Sequence, residues 1–229
     1  MRTSIPVAKF IIVLAAVSMA VPGSGAAAQD NTVAASQPLS WAWGSERAII
    51  EVVEFTDLGC GYCAQFHKDS YATLFSEYVE TGKVRWIFAP FASGRFRGSF
   101  EATLFLACAA EQGKALSYLR SIMFDRQRDW SAGEVAEVLA GYVQELGLDQ
   151  GQYSQCAASD EVRERLEENG RRAIAAGVRG TPTFLVQGFP VMGALPLDFF
   201  RAHLDRTIER VQRGRRVSSN STPLPASRP

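Results

Sequence analysis

The chain has 229 residues, 47% of them hydrophobic, with 24 basic and 24 acidic side chains. That length and apolar content suit one globular domain with a full core, or one domain carrying an insertion. The balanced charge gives no footing to a nucleic-acid binder or a membrane-surface protein.

Residues 1–28 have the layout of a secretory signal peptide. Arg2 and Lys9 give a basic end, "FIIVLAAVSMAV" (Phe10 to Val21) an apolar core, and Ala26 to Ala28 a small-residue cleavage site. The apolar run is shorter than the roughly 20 residues a membrane span needs. Export to an oxidising compartment, periplasmic or secreted, changes how the cysteines are read. Cys60, Cys63, Cys108 and Cys156 all follow the leader, and four cysteines allow two disulfides in three connectivities.

Along the chain, residues 29–46 read as a polar tether in which Trp41 and Trp43 cover apolar surface. "AIIEVVEF", Ala48 to Phe55, is short and β-branched, so it reads as a buried strand. "CGYC" follows, then a helical pattern that stops near Gly82, then a second strand, Lys83 to Phe91. Strand, helix, strand implies a parallel βαβ unit. A helical block occupies about 93–177, punctuated by Gly113, Gly133, Gly147 and Gly177, with Ser131 and Asp160 as candidate N-caps. Two strands, "TPTFLVQG" and "FPVMGAL", meet at Gly188, and an amphipathic helix closes a domain spanning 47–213. The polar, Pro-rich tail, 214–229, reads as disordered.

The Cys60–Cys63 pair admits three readings: metal knuckle, staple or redox pair. Zinc needs four ligands at matching spacing, and neither a second C-x-x-C nor an H-x₃₋₅-H is present. A ring this small constrains the unfolded chain little, which disfavours a staple. A thiol at a strand-to-helix junction, by contrast, is stabilised as thiolate by the helix N-terminus, so Cys60 would attack and the deeper Cys63 resolve. Thr181-Pro182 opens a later strand, where proline is tolerated. A cis bond there would turn the backbone toward the pair, but only about 5–6% of X-Pro bonds are cis. Glu54 sits on a strand with both faces covered and is expected to be buried. A buried acid without a partner is costly, so its replacement by Gln would be tolerated or stabilising. Arg95 and Arg97 fall in the Gly-rich loop after the second strand. A solvated role is expected for them, with contact to an acidic partner as the alternative. His67 is expected on an exposed helix face.

"EFTDLGCGYC", "CAAEQGK" and "GVRGTPTFLVQG" together resemble the thioredoxin superfamily, and more narrowly the exported DsbA-type thiol:disulfide oxidoreductases. The resemblance covers roughly Ile49 to Arg210 and implies an α/β thioredoxin fold with a helical insertion between a βαβ unit and a C-terminal ββα unit. It places the nucleophile at Cys60, the resolving cysteine at Cys63, the cis-proline at Pro182 and a proton-handling buried acid at Glu54. Gly61 and Tyr62, with Thr181 and Pro182, would meet the substrate. Gly61-Tyr62 departs from the Pro-His of DsbA-type oxidases and matches DsbC-type isomerases, although no separate N-terminal dimerisation domain is expected. Cys108 and Cys156 read as a structural disulfide within the insertion, closing a loop of about 49 residues; two buried free thiols are the alternative.

The implied activity is disulfide exchange with unfolded or partly folded exported proteins, in an oxidase, isomerase or reductase direction. A membrane redox partner is implied, with no metal, organic cofactor or nucleic acid, and a monomer is expected. The competing reading is a non-catalytic peptide-binding or chaperone module on the same scaffold.

Overall fold

The computed structural model describes residues 38–220. The signal peptide read at 1–28, the tether's first part and the tail from 221 onward lie outside the described residues. Chain order begins β1 (Trp41–Trp43), β2 (Ile50–Thr56) and α1 (Gly61–Phe66). The helix runs on through a π-helical turn (His67–Tyr71), α2 (Ala72–Leu74) and a second π-helical turn (Phe75–Val79) to β3 (Val84–Pro90). Six helices follow: α3 (Ser99–Glu111), α4 (Leu116–Asp125), α5 (Gln127–Ala132), α6 (Val135–Glu145), α7 (Gln150–Ala157) and α8 (Asp160–Ala175). β4 (Thr183–Val186), β5 (Phe189–Met192) and α9 (Leu197–Asn220) complete the fold.

The sheet has the order β1-β3-β2-β4-β5. β2 and β3 are parallel, as a strand–helix–strand unit requires, and the other pairings are antiparallel. β4 and β5 are joined by Gln187 (φ 51°) and Gly188 (φ 81°), a two-residue turn in the left-handed region that suits a tight hairpin.

Three differences from the sequence reading have simple causes. Trp41–Trp43 is an edge strand antiparallel to β3, so the tether's end belongs to the sheet. The closing helix runs to Asn220, past the expected boundary at 213; Arg215 and Arg216 are good helix formers, and no proline interrupts the chain before Pro223. Ser131 lies within α5, and Asp160 is the first residue of α8 after Ser159, so neither caps a helix.

α1 is held by its apolar face. Phe66 lies 4.6 Å from Phe184 and 5.2 Å from Phe200, ring centre to ring centre, and stacks on Trp86. Truncating a buried Phe costs about 3–5 kcal/mol, so this cluster fixes the helix that carries Cys63. On the other face of the sheet, Phe55 and Ala89 pack against Ala173 of α8 and Val178. The insertion has its own core of Phe105, Leu106, Leu119, Met123 and Trp130, and that core also takes in Leu58, Cys60 and Cys63. The Cys108–Cys156 disulfide ties α3 to α7, with Cα atoms 5.7 Å apart. Among the described residues, no helix is long and apolar enough to cross a membrane.

Candidate active site

β2 delivers Cys60 through a tight turn. Cys60 N–H donates to the Asp57 carbonyl at 3.0 Å. Cys60 keeps extended backbone angles and is the N-cap of α1, so its thiol lies at the helix N-terminus. Across from it, the Thr181-Pro182 bond is cis. The Cys60 thiol donates to the Thr181 carbonyl at 3.3 Å. The βαβ unit and the C-terminal hairpin thus bring residues 121 positions apart to one point.

Both cysteines are free thiols, buried, and electrically unlike each other. Cys60 is held well below the ordinary thiol range, at about 6. The hydrogen bond from the Cys63 thiol does most of this, against the cost of burial; the Thr181 hydroxyl and the N–H groups of Cys63 and Tyr62 add to it. Cys63 is driven far above that range by burial, by its hydrogen bond to Cys60 and by the Cys60 charge. The Thr56 hydroxyl and the Asp57 N–H oppose that rise. One thiol is poised as a nucleophile and the other as its proton-bearing neighbour.

Asp57 was not singled out in the sequence, yet it organises the turn. Its buried carboxylate accepts from Gly59 N–H at 2.9 Å, from Ser93 N–H at 2.8 Å, from Ser93 Oγ at 2.7 Å and from the Ser99 hydroxyl. Gln127, also missed, donates to the carbonyls of Leu58 (2.6 Å) and Cys60 (3.2 Å). Asp57-x-Gly59 is a turn signal legible in hindsight. Gln127 carries none, since its partners lie 69 and 67 residues away. A Cβ on Gly59 would fall 2.4 Å from the Cβ of Phe96, whereas one on Gly61 would meet nothing within 4 Å.

Glu54 is fully buried, and it has partners. Arg120 Nη2 donates to Oε1 and Trp86 Nε1 donates to Oε2 at 2.8 Å. The expectation of an unpartnered acid is corrected: α4 supplies the counter-charge. Arg120 itself lies over the rings of Tyr71 (4.2 Å) and Phe88 (4.6 Å). Its signal was a lone arginine among Leu116, Leu119, Met123 and Phe124, on the core face of a helix. The groups acting on the Cys63 thiol are Cys60, Thr56 and Asp57. Thr56 lies one pleat beyond Glu54 on the same face of β2.

His67 is half-buried rather than exposed. Its ring packs against Tyr71 and Phe124, and Nε2 pairs with the Ser121 hydroxyl at 3.2 Å. Burial, helped by the Arg120 charge, lowers its pKa to about 3, so it stays neutral. Tyr62 is 68% exposed beside the pair.

The family described as Thioredoxin matches residues 36–206. A "Putative protein-disulfide oxidoreductase" of Rickettsia typhi is 25% identical over 168 residues, 72% of this chain and 61% of the relative. The chain therefore spans about six-tenths of that relative's length. Wolbachia pipientis alpha-DsbA1 superposes with a TM-score of 0.67 at 20% identity, covering 76% of this chain and 94% of the other. Chlamydia trachomatis DsbA gives 0.62 at 20% identity, covering 75% and 91%. At such identities the structural likeness speaks for the fold.

Proposed function

Because the chain belongs to the thioredoxin family, we propose that it is an exported thiol:disulfide oxidoreductase working through Cys60 and Cys63 on unfolded or partly folded proteins. The observation that carries this reading is the Cys60 thiol at the start of α1, 3.3 Å from the Thr181 carbonyl, with Cys63 behind it. In the oxidising direction a substrate thiolate attacks Cys60 Sγ of the Cys60–Cys63 disulfide. The S–S bond breaks, and Cys63 leaves as thiolate and takes a proton. A second substrate thiolate then attacks the substrate sulfur of the mixed disulfide, and Cys60 leaves as thiolate. The substrate loses two electrons and the pair gains them; Cys63 takes up one proton, and Cys60 remains a thiolate above its pKa of about 6. Reduction runs the same steps backward.

Thr181 and Pro182 offer an edge to an extended substrate segment, and Gly61-Tyr62 lines its path. Glu54 is assigned a proton-handling role through the face it shares with Thr56. A signal-like leader and a closed Cys108–Cys156 disulfide fit an oxidising compartment, periplasmic or secreted. A membrane redox partner would reset the pair, and the protein would act as a monomer without metal or organic cofactor.

The test is trapping. Cys63→Ala should accumulate mixed disulfides through Cys60, and Cys60→Ala should not. If Cys63→Ala captures nothing and the parent reduces no insulin, a non-catalytic peptide-binding or chaperone module takes the place of this reading. The potential of the pair then separates oxidase from isomerase or reductase.

A further inference from the structure

Beside Cys60 the surface opens into a cavity of about 520 Å³. Phe91, Phe96 and Val178 give it apolar walls, while Arg95 and Arg179 line it from different segments. Several arginines near the domain surface are paired, Arg97 with Glu134, Arg126 with Glu145, Arg172 with Glu168 and Arg201 with Glu77, while others such as Arg128 and Arg206 meet no carboxylate among the described residues but do not line this cavity. Among the described residues, Arg95 and Arg179 meet no carboxylate. The nearby acid, Asp57, is buried and already accepts from Gly59, Ser93 and Ser99.

The loop carrying Arg95 is held in place. Arg95 N–H donates to Ser93 Oγ at 3.3 Å, and that hydroxyl donates to Asp57. Asp57 in turn fixes the turn that carries Cys60. Arg179 stands two residues before Thr181, whose carbonyl meets Cys60. Both cationic groups are thus tied by short runs of backbone to the reacting sulfur. Two unpaired cations over an apolar wall suit a segment that offers a carboxylate next to an apolar side chain.

We propose that this cavity is a subsite for an acidic residue of the substrate, an Asp or Glu adjoining the cysteine that exchanges with Cys60. The occupant is a cysteine-bearing polypeptide segment, with an apolar side chain against Phe91, Phe96 and Val178 and its carboxylate between the two arginines. The proposal rests on Cys60 being the exchanging thiol. It adds a charge preference that neither the pair nor the cis-proline supplies.

The experiment uses the whole mature chain, reduced, and three mixed-disulfide peptides differing only in the residue beside cysteine: Glu, Gln or Lys. Cys60 thiolate attacks the peptide disulfide and Cys63 releases the product, and the second-order rate constant of that reduction is measured. The parent should favour Glu over Lys by about three- to tenfold, the range two partly exposed ion pairs provide, and less in high salt. Arg95→Glu combined with Arg179→Glu should invert the order. Arg97→Glu, on the same loop but outside the cavity, should keep it. Equal rates with Glu and Lys in the parent would overturn the subsite, as would a Glu preference surviving the double reversal. Inversion by Arg97→Glu would overturn it too, by showing a diffuse field. Failure of the parent to reduce even the Gln peptide would instead remove the oxidoreductase reading, and the subsite with it.

Discussion

Glu54 on β2 and Arg120 on α4 form an ion pair at 2.5 Å with neither side chain exposed. It joins the sheet that carries the cysteine turn to the helical insertion, across 66 residues of sequence. Two charges moved out of water together are tolerable, while one left behind is not.

Removing either partner should therefore cost more than removing both. Glu54→Gln strands a buried guanidinium and should lose about 3–5 kcal/mol, as should Arg120→Met. Glu54→Leu with Arg120→Met should recover most of that loss. Urea denaturation of the three variants checks the cycle. This reverses the expectation from sequence that Glu54→Gln would be tolerated.

Ultraviolet thiolate absorbance should titrate Cys60 with a midpoint near 6. Removing its largest support, by Cys63→Ala, should raise that midpoint. The sign for stability follows. A thiol with a depressed folded value stabilises the reduced fold fully above its unfolded value of about 8.5. That stabilisation is lost as pH falls through about 6. The gap in urea midpoint between reduced parent and Cys60→Ser should thus widen as pH rises across this window.

Thr56→Val should slow the step that ionises Cys63, by about five- to tenfold for one lost hydrogen bond to a thiolate. Thr56 Oγ1 is buried and, among the described residues, has no partner other than the Cys63 sulfur it acts on, so valine leaves no other group unsatisfied and the fold should hold. The lifetime of the mixed disulfide is the readout. The Cys60 titration should not move.

Gly61→Pro with Tyr62→His should make the pair more oxidising. Gly61 is the first residue of α1 and has open space around it, so proline fits there. A protonated imidazole favours the Cys60 thiolate and so the reduced form, and about 30 mV corresponds to roughly 1.4 kcal/mol. Equilibration with a glutathione buffer measures the shift, and an unmoved potential would deny the dipeptide its role.

Cys108→Ala with Cys156→Ala should cost about 4 kcal/mol, the loop-closure value for this length, because the bond closes a sequence separation of 48. Denaturation with and without the bond measures it.

Local signals carried much of this fold into the sequence. β-branched runs marked β2 and β3, and Gly188 marked the hairpin turn. The strand-to-helix junction marked Cys60 as the thiol at the helix N-terminus. Contacts made by the fold itself had no such signal. Trp41–Trp43 is too short to show a period and becomes a strand only because β3 offers an edge. Arg120, Gln127 and Asp57 act on groups that topology brings to them. His67 looked exposed because its cover, Ser121 and Phe124, comes from the insertion.

Gly59 and Gly61 lie two residues apart and differ in what a side chain there would meet. A Cβ at 61 meets nothing within 4 Å, so the dipeptide between the cysteines can be exchanged without a clash at that position. At 59 even a methyl group would collide with Phe96, so a change there must wait for a change at 96. The residues between the cysteines are thus sterically open to substitution, while the turn that places the sulfur is closed to it.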